Sequence, residues 1–297
     1  MNKKKQKHSH KKLGEILVTE IKSIHQETPK ACRVPVKVLK ITAPKIVEKA
    51  IPGQFIMMWV EGRDEKPMGI GNCYKKTNEV EFAVAKVGPG TTAIHELQEG
   101  DLLGIRGPYG NGFSIKGKNI LIVGGGTGIA PTKFLVETIL KEKRKVTLIH
   151  GAQTITELAY KDYFEKRAKK NSKFQYLPST DDGSYGFCGF ATECCQSYLM
   201  ENKKQKIDQI FTCGPELMMV KIWKIAQKEG IPLQASLADR YFKCAIGLCG
   251  QCTVDPTGWR LCIDGPVFNE KQLSKIADFG RYKRDKYGRK KSFNKED

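Results

Sequence analysis

Four of the chain's ten cysteines fall within 19 residues, in the order Cys244-x4-Cys249-x2-Cys252-x9-Cys262. Clustering of this kind means metal. A [2Fe–2S] cluster has two irons, each needing two protein thiolates, and the first three cysteines match the plant-type C-x4-C-x2-C opening. The small residues between them, Ala245, Gly247 and Gly250, let a loop wrap closely and aim backbone N–H groups at sulfur. A zinc knuckle is the competing reading. Structural zinc usually shows two short Cys pairs with a spacer, whereas here three cysteines crowd together and the fourth stands alone. Cys32, Cys73, Cys188, Cys194, Cys195 and Cys213 show no ligand spacing and read as buried or incidental thiols.

A second constellation is Gly124-Gly125-Gly126-Thr127-Gly128-Ile129-Ala130-Pro131, directly after the apolar run NILIV (Asn119–Val123) and before a helix-length stretch. Glycines at a strand-to-helix turn let a phosphate approach the backbone N–H groups at the positive helix end. The loop is not that of an ATPase, since Lys133 is misplaced and no Ser or Thr follows it. Cys213-Gly214-Pro215 makes a second loop after a later strand, at the sheet edge where open α/β sheets bind ligands. Val87-Gly88-Pro89-Gly90-Thr91 reads either as a ligand-facing turn or as a tight hairpin.

The elements that must carry these loops change character along the chain. From Leu13 to about Gly112, short runs of branched residues alternate between turn signals, in Cys32–Thr42, Gln54–Val60, Glu79–Val87 and Asp101–Phe113. That spacing predicts a small antiparallel barrel. From Lys118 the order becomes strand, glycine loop, helix, then the strand Lys145–Ala152, a βαβ unit of a parallel sheet. Further helices are predicted near residues 157–169 and 190–202, and a strongly periodic one over Glu216–Gly230. IPLQASLA then leads into the cysteines.

The 297 residues allow two compact domains and a small appendage. The net charge of +19 is concentrated at the ends: six lysines in residues 1–12, and ten Lys or Arg against four acids in residues 271–297, give +12 of it. Such ends are expected to be solvated tails, and no nucleic-acid motif accompanies them. The longest apolar runs are far shorter than a membrane span, and no signal-peptide pattern opens the chain, so the cytoplasm is the expected compartment. The five histidines are scattered, Asp181-Asp182 reads as a turn, Met57-Met58-Trp59 as barrel core, and Asp239-Arg240 as an ion pair or a tie to the cysteine loop.

Barrel, nucleotide loop and cysteine cluster in this order resemble the ferredoxin–NADP reductase superfamily. Within it the sequence is most similar to the electron-transfer subunit of NAD-dependent (class 1B) dihydroorotate dehydrogenases, over roughly residues 13–270. The most specific match is KCAIGLCGQCTVDPTGWRLCIDGPVF, Lys243–Phe268; GPYGNGF (Gly107–Phe113), GGGTGIAP and TCGPELMM (Thr212–Met219) are shared more widely. The resemblance implies a β-barrel plus α/β architecture. Residues 13–115 would form an FAD-binding antiparallel barrel, 116–235 a parallel-sheet NAD-binding domain and 236–270 a small C-terminal [2Fe–2S] domain, between tails 1–12 and 271–297. It implies FAD, NAD and the cluster as cofactors, with Cys244, Cys249, Cys252 and Cys262 as the ligands. It further implies an FMN-containing catalytic subunit as partner, in a heterotetramer of two of each, with electrons passing from that FMN through the cluster and FAD to NAD⁺ in pyrimidine biosynthesis. The chain alone would be inactive on dihydroorotate.

The family's R-P-x-S strand, which meets the flavin and its diphosphate, corresponds to Lys66-Pro67-Met68-Gly69. Lysine keeps the charge but loses the bidentate fork, and glycine loses the hydroxyl. Val87, Gly90 and Thr91 match the second flavin segment, while Gly124 to Gly128 and Cys213 to Pro215 match the NAD loops. Gln153 stands where an arginine would suit a 2′-phosphate, which favours NAD over NADP. Two alternatives remain open: a diaphorase-like subunit serving ferredoxin or hydrogenase with the same cofactors, and a zinc-bearing module that engages nucleic acid.

Overall fold

The computed structural model describes residues 16–293. The N-terminal lysine stretch with His8 and His10, and residues 294–297, lie outside the described residues.

Seven strands form the first sheet: β1 (Leu17–Gln26), β2 (Val36–Thr42), β3 (Phe55–Trp59), β4 (Lys66–Gly69), β5 (Asn72–Tyr74), β6 (Glu79–Ala85) and β7 (Leu102–Tyr109). Two helices, α1 (Pro44–Lys49) and α2 (Pro89–Glu96), interrupt them. The spatial order is β4-β3-β7-β1-β2-β6-β5, antiparallel throughout. The two edge strands, β4 and β5, are separated in sequence only by Ile70 and Gly71. Three peptide steps reach about 10 Å, so the sheet has to curl until its edges meet. The antiparallel barrel follows from that connection. Its inward positions, among them Leu39, Ile41, Ile56, Val80, Phe82 and Ile105, are buried in one apolar cluster, which drives closure.

The second sheet runs β8 (Asn119–Gly125), α3 (Ile129–Lys141), β9 (Lys145–Ala152), α4 (Lys161–Lys170), β10 (Phe174–Thr180), β11 (Phe187–Cys188), α5 (Ala191–Glu201), β12 (Gln209–Cys213), α6 (Glu216–Glu229) and β13 (Leu233–Ser236). Its order is β11-β10-β9-β8-β12-β13, closed by an antiparallel β14 (Val267–Asn269). Ile120 to Val123 of β8 are fully buried, as a central parallel strand covered on both faces must be. Right-handed crossovers that step one way through α3 and α4, and the other way through α5 and α6, put one helix pair on each face. The direction of stepping reverses between β8 and β12. The glycine loop and the Cys213–Pro215 loop therefore leave the sheet side by side, at a topological switch point.

Across the junction of the two sheets, Lys133 of α3 donates to Glu81 of β6 at 2.5 Å, both groups being buried. The rings of Tyr160 and Tyr163 lie 4.4 and 4.2 Å from that ammonium. The cysteine segment, residues 237–266, is irregular and sits against α6 and β14. Then come α7 (Glu270–Leu273), β15 (Tyr282–Arg284) and β16 (Lys290–Ser292), the last two forming a hairpin. Residues 271–293 thus differ from the solvated tail expected from composition. Ile276, Asp278 and Phe279 are buried, and the hairpin's cations are drawn down by carboxylates of the cysteine segment. Arg284 Nη2 and Tyr282 Oη both donate to Asp255, at 2.7 and 2.6 Å.

Candidate functional site

The four cysteines of the spacing motif come together as two pairs. Cys252 and Cys262 lie with their sulfurs 3.5 Å apart, and Cys249 is joined to Cys244 through its backbone N–H, which donates to Cys244 Sγ. The loop between them turns through three left-handed residues, Ala245 (φ 59), Gly247 (φ 76) and Gly250 (φ 67). This winding points the N–H groups of Leu248 and Cys249 at Cys244 Sγ, each at 3.3 Å. Burial works against a thiolate at Cys244, but these N–H groups outweigh it and bring the thiol down to about 7. Cys252 is held down to about 6, chiefly by its hydrogen-bond contact with Cys262, while Cys262 is pushed up by the same contact. Among the described residues no three His, Cys, Asp or Glu gather round a single ion position. Two sulfur pairs with backbone donors suit two irons with two protein ligands each, so the donor set fits a [2Fe–2S] cluster.

The cysteine loop is anchored from both sheets. Arg106 of β7 donates from Nη1 to the Cys244 carbonyl at 2.9 Å, while its Nε and Nη2 grip Glu65 at 2.6 and 2.5 Å. Arg240 is buried and donates to Glu216 of α6 at 2.9 and 2.6 Å and to Asp278 at 2.9 Å. Asp239 instead pairs with Lys283 of the hairpin at 3.1 Å. Arg240 is therefore the tie, and it reaches α6 rather than its neighbour.

The glycine loop is built by close backbone approach. A Cβ on Gly128 would stand 2.4 Å from the Cys213 carbonyl oxygen, and one on Gly214 would stand 2.6 Å from the Gly125 carbonyl oxygen. The two loops can pack together only because both lack side chains there. Gly126 has φ +52 and faces open space, which leaves room for a phosphate beside the start of α3.

This loop is the wall between two pockets. On one side Gly125 and Gly126, with Ala152, Gln153, Pro215 and Met218, line a pocket of about 300 Å³. Arg33, Glu157, Asp181, Phe190 and Lys221 complete it, none of which the sequence motifs had singled out as ligand-facing. On the other side Thr127 and Gly128, with Cys213 and Gly214, face a cleft of about 470 Å³ whose far wall is Lys66 to Gly69, Val87 and Thr91 of the barrel. The Lys66 stem crosses Gly90, where a Cβ would stand 2.6 Å from Lys66 Cε. Gly69 lies under Pro131, with a notional Cβ 2.7 Å from Pro131 Cγ, and so forms the seam between barrel and α3. The Thr91 hydroxyl accepts from Val87 and Gly88 N–H at 2.9 and 3.1 Å and donates to the Gly88 carbonyl. Its hydrogen bonds are thus used inside the loop, which it shapes. The cleft continues past Gly88 and Pro89, at the N-terminus of α2, to Tyr241. An elongated cleft with a lysine and a helix N-terminus at one end fits a flavin dinucleotide, and the pocket across the loop fits a nicotinamide dinucleotide.

His150 is fully buried, hydrogen-bonds Tyr176 Oη at 2.9 Å, and is held down to about 3 by burial. It is a core residue. Met57 and Met58 are likewise interior, whereas Asp181 is both a turn residue and a wall of the pocket of about 300 Å³.

Comparison with known proteins agrees with this geometry. A family model described as the oxidoreductase NAD-binding domain matches residues 122–224. The iron–sulfur cluster binding domain of dihydroorotate dehydrogenase B matches residues 239–274. A Methanocaldococcus jannaschii protein described as the probable dihydroorotate dehydrogenase B (NAD(+)), electron transfer subunit, is 44% identical over 269 residues, covering 89% of this chain and 98% of the relative. A protein of the same description from Methanothermobacter thermautotrophicus is 44% identical over 239 residues, covering 80% and 85%. Among solved structures, an NADH-dependent reduced ferredoxin-NADP oxidoreductase superposes with a TM-score of 0.75 at 26% identity, over 90% of this chain and 95% of its own. A Neisseria gonorrhoeae ferredoxin NADP⁺ reductase with bound FAD and NADP superposes at 0.61 with 19% identity, over 72% and 92%, a likeness of fold. Identity of this level across nearly the whole length places the chain in the family of dihydroorotate dehydrogenase B (NAD(+)) electron transfer subunits.

Proposed function

We propose that this chain is the electron-transfer subunit of an NAD-linked dihydroorotate dehydrogenase. It receives electrons from an FMN-bearing catalytic subunit at the cysteine loop and delivers them to NAD⁺ at the glycine-loop pocket, for pyrimidine biosynthesis. The observation that carries this reading is the glycine loop serving as one wall of both pockets, with the thiol pairs anchored to the same two sheets. When bound, the cluster carries electrons singly, nicotinamide takes two as a hydride, and FAD handles both regimes.

The residues have separate tasks. The Cys244–Cys249 and Cys252–Cys262 pairs would supply two thiolates to each iron of the cluster, and the N–H groups of Leu248 and Cys249 stabilise thiolate charge. Lys66 and the N-terminus of α2 bind the FAD diphosphate. Val87, Gly90 and Thr91 shape that loop, and Pro67 to Gly69, beside the seam with α3, would hold the flavin. Gly124 to Gly128 and Cys213 to Pro215 give NAD(H) its backbone cradle. Asp181 in that pocket repels a 2′-phosphate, which favours NAD over NADP. Cys249 is exposed and Leu248 is 82% exposed, so the cysteine loop is the face offered to the catalytic subunit, in an assembly of two of each. No helix among the described residues is long and apolar enough to cross a membrane, and the cytoplasm is the proposed compartment.

The test is purification of the chain with its native partner. FMN in the partner, and NADH formation only when dihydroorotate and both chains are present, are the expected results. The likeness to the reduced ferredoxin-NADP oxidoreductase supports one second reading, a ferredoxin-linked diaphorase. Stoichiometric capture of a ferredoxin-linked subunit, with no dihydroorotate-dependent NADH, would establish that reading and overturn the first.

A further inference from the structure

The hairpin β15–β16 follows the region matched by the iron–sulfur family model, which ends at residue 274. It is built as a shaped element. Asp285 closes its turn, with Oδ1 accepting from the N–H groups of Tyr287 and Arg289 at 2.8 and 3.0 Å and Oδ2 from Arg289 Nε at 2.9 Å. Gln251 of the cysteine loop donates to the Asp285 carbonyl at 2.9 Å, and Lys283 and Arg284 are pinned to Asp239 and Asp255. These bonds place the hairpin's inner side over the barrel cleft. Lys283, Arg284, Asp285 and Lys291 line the cleft beside Lys66 and Gly69, and Lys286 at the tip lines its extension beside Lys66, Gly90 and Tyr241.

The charges along this wall are unequal in what they are free to do. Lys283, Arg284 and Asp285 are neutralised by the pairs just named. Lys286 and Lys291 form no ion pair within 4 Å among the described residues. Lys286 lies over the Tyr287 ring, 4.9 Å from its centroid, and shares the cleft's extension with the exposed Asp64, which raises its pKa slightly after Tyr287 does. Lys66 has one weak partner, Asp64 at 3.9 Å, whose carboxylate is 93% exposed. Three ammonium groups, none of them in an ion pair closer than 3.9 Å among the described residues, therefore face one elongated cleft that also receives a helix N-terminus. Cations left unpaired at a concave wall lower its potential energy for an anion far more than the same groups paired.

We propose that this hairpin is part of the flavin site, and that Lys286 and Lys291 join Lys66 in binding the diphosphate of FAD. A single lysine lacks the two-pronged grip of an arginine, and two further point charges from the opposite wall supply the missing attraction. The hairpin then clasps the dinucleotide from outside and ties its retention to the integrity of the cysteine loop, through Gln251 and Asp255. The proposal rests on the barrel cleft being the FAD site.

The experiment measures FAD affinity of the full chain by quenching of flavin fluorescence, and NADH affinity in parallel. The double variant Lys286→Glu/Lys291→Glu is compared with Lys271→Glu/Lys275→Glu, which makes the same change in net charge at exposed positions outside the cleft. The cleft variant should bind FAD at least about tenfold more weakly, with the deficit shrinking at high salt, and should bind NADH as the unaltered chain does. Equal FAD affinity in the cleft variant and the unaltered chain would overturn the proposal, as would equal losses in the two variants. If the unaltered chain binds NADH but no FAD, the assignment of the cleft to flavin falls as well, an outcome distinct from the other two.

Discussion

Arg240→Ala should uncouple the cysteine segment from the rest of the chain. The arginine is 6% exposed and its partners Glu216 and Asp278 are 4% and 0% exposed. It donates four hydrogen bonds to them, one of these to the Asp278 carbonyl at 3.2 Å. Asp278 Oδ1 already has no hydrogen-bond partner, so removing the guanidinium strands two buried carboxylates. Breaking a buried pair from one side costs about 3–5 kcal/mol. Spread over the local opening of residues 239–284, about 4 kcal/mol makes that opening roughly a thousandfold more frequent. The assay is the rate at which a ferrous chelator bleaches the visible iron–sulfur absorbance of the purified chain, followed beside the flavin band. Bleaching should accelerate by two to four orders of magnitude while flavin is released more slowly. A triple variant, Arg240→Met with Glu216→Gln and Asp278→Asn, removes the charges together and should recover most of the protection. The reasoning is refuted if Arg240→Ala bleaches at the unaltered rate, or if the triple variant bleaches as fast as the single one.

Other expectations follow from the same geometry. Gly128→Ala puts a methyl 2.4 Å from the Cys213 carbonyl, so overpacking should cost about 1–3 kcal/mol in urea unfolding and weaken NADH binding; retention of both would refute the close-packing account. Asp181→Ser with Gln153→Arg should raise the ratio of NADPH to NADH oxidation by at least about tenfold, measured as diaphorase activity with ferricyanide. His150 sits at about 3 in the folded chain against an ordinary 6.5. A depressed histidine means the unfolded chain binds the proton more tightly, so stability is lost as pH falls below 6.5. Between pH 7 and pH 5 this amounts to about 2 kcal/mol, and His150→Gln should remove that share of the acid dependence in unfolding titrations.

The sequence made some of this legible and hid the rest for physical reasons. The βαβ unit could be read because Asn119–Val123 is uniformly apolar and ends in glycines, a pattern that only a doubly covered parallel strand with a turn at its end produces. The barrel could be read from alternation, although its closure depends on β4 and β5 being opposite edges, which no local pattern records. Asp181 and Phe190 give no signal as pocket walls because the crossover order of the sheet, not any spacing, brings them to Gly126, and Arg33 gives none because it reaches the pocket from the β1–β2 connection of the barrel, donating to Glu157 at 3.3 Å. The hairpin β15–β16 runs against its composition. Its composition is that of a solvated tail, and its order comes from Asp239, Asp255 and Gln251, all far away in the chain. Arg106 gave no signal either, since its role is a bond to a backbone carbonyl 138 residues later.

That bond has a kinetic meaning. Electron tunnelling falls steeply with the width of the gap, so a carrier on a hinged arm transfers only during its closest approaches. Here the cysteine loop is pinned to the barrel by Arg106, to helix α6 by Arg240 and to the hairpin by Gln251. A cluster held by this loop would keep a fixed interval to the cleft, and transfer across it would not wait for the microsecond-to-millisecond excursions that gate jointed redox proteins. Solvent viscosity should leave that step untouched, and the pace of the whole assembly then falls to the encounters at its two open ends.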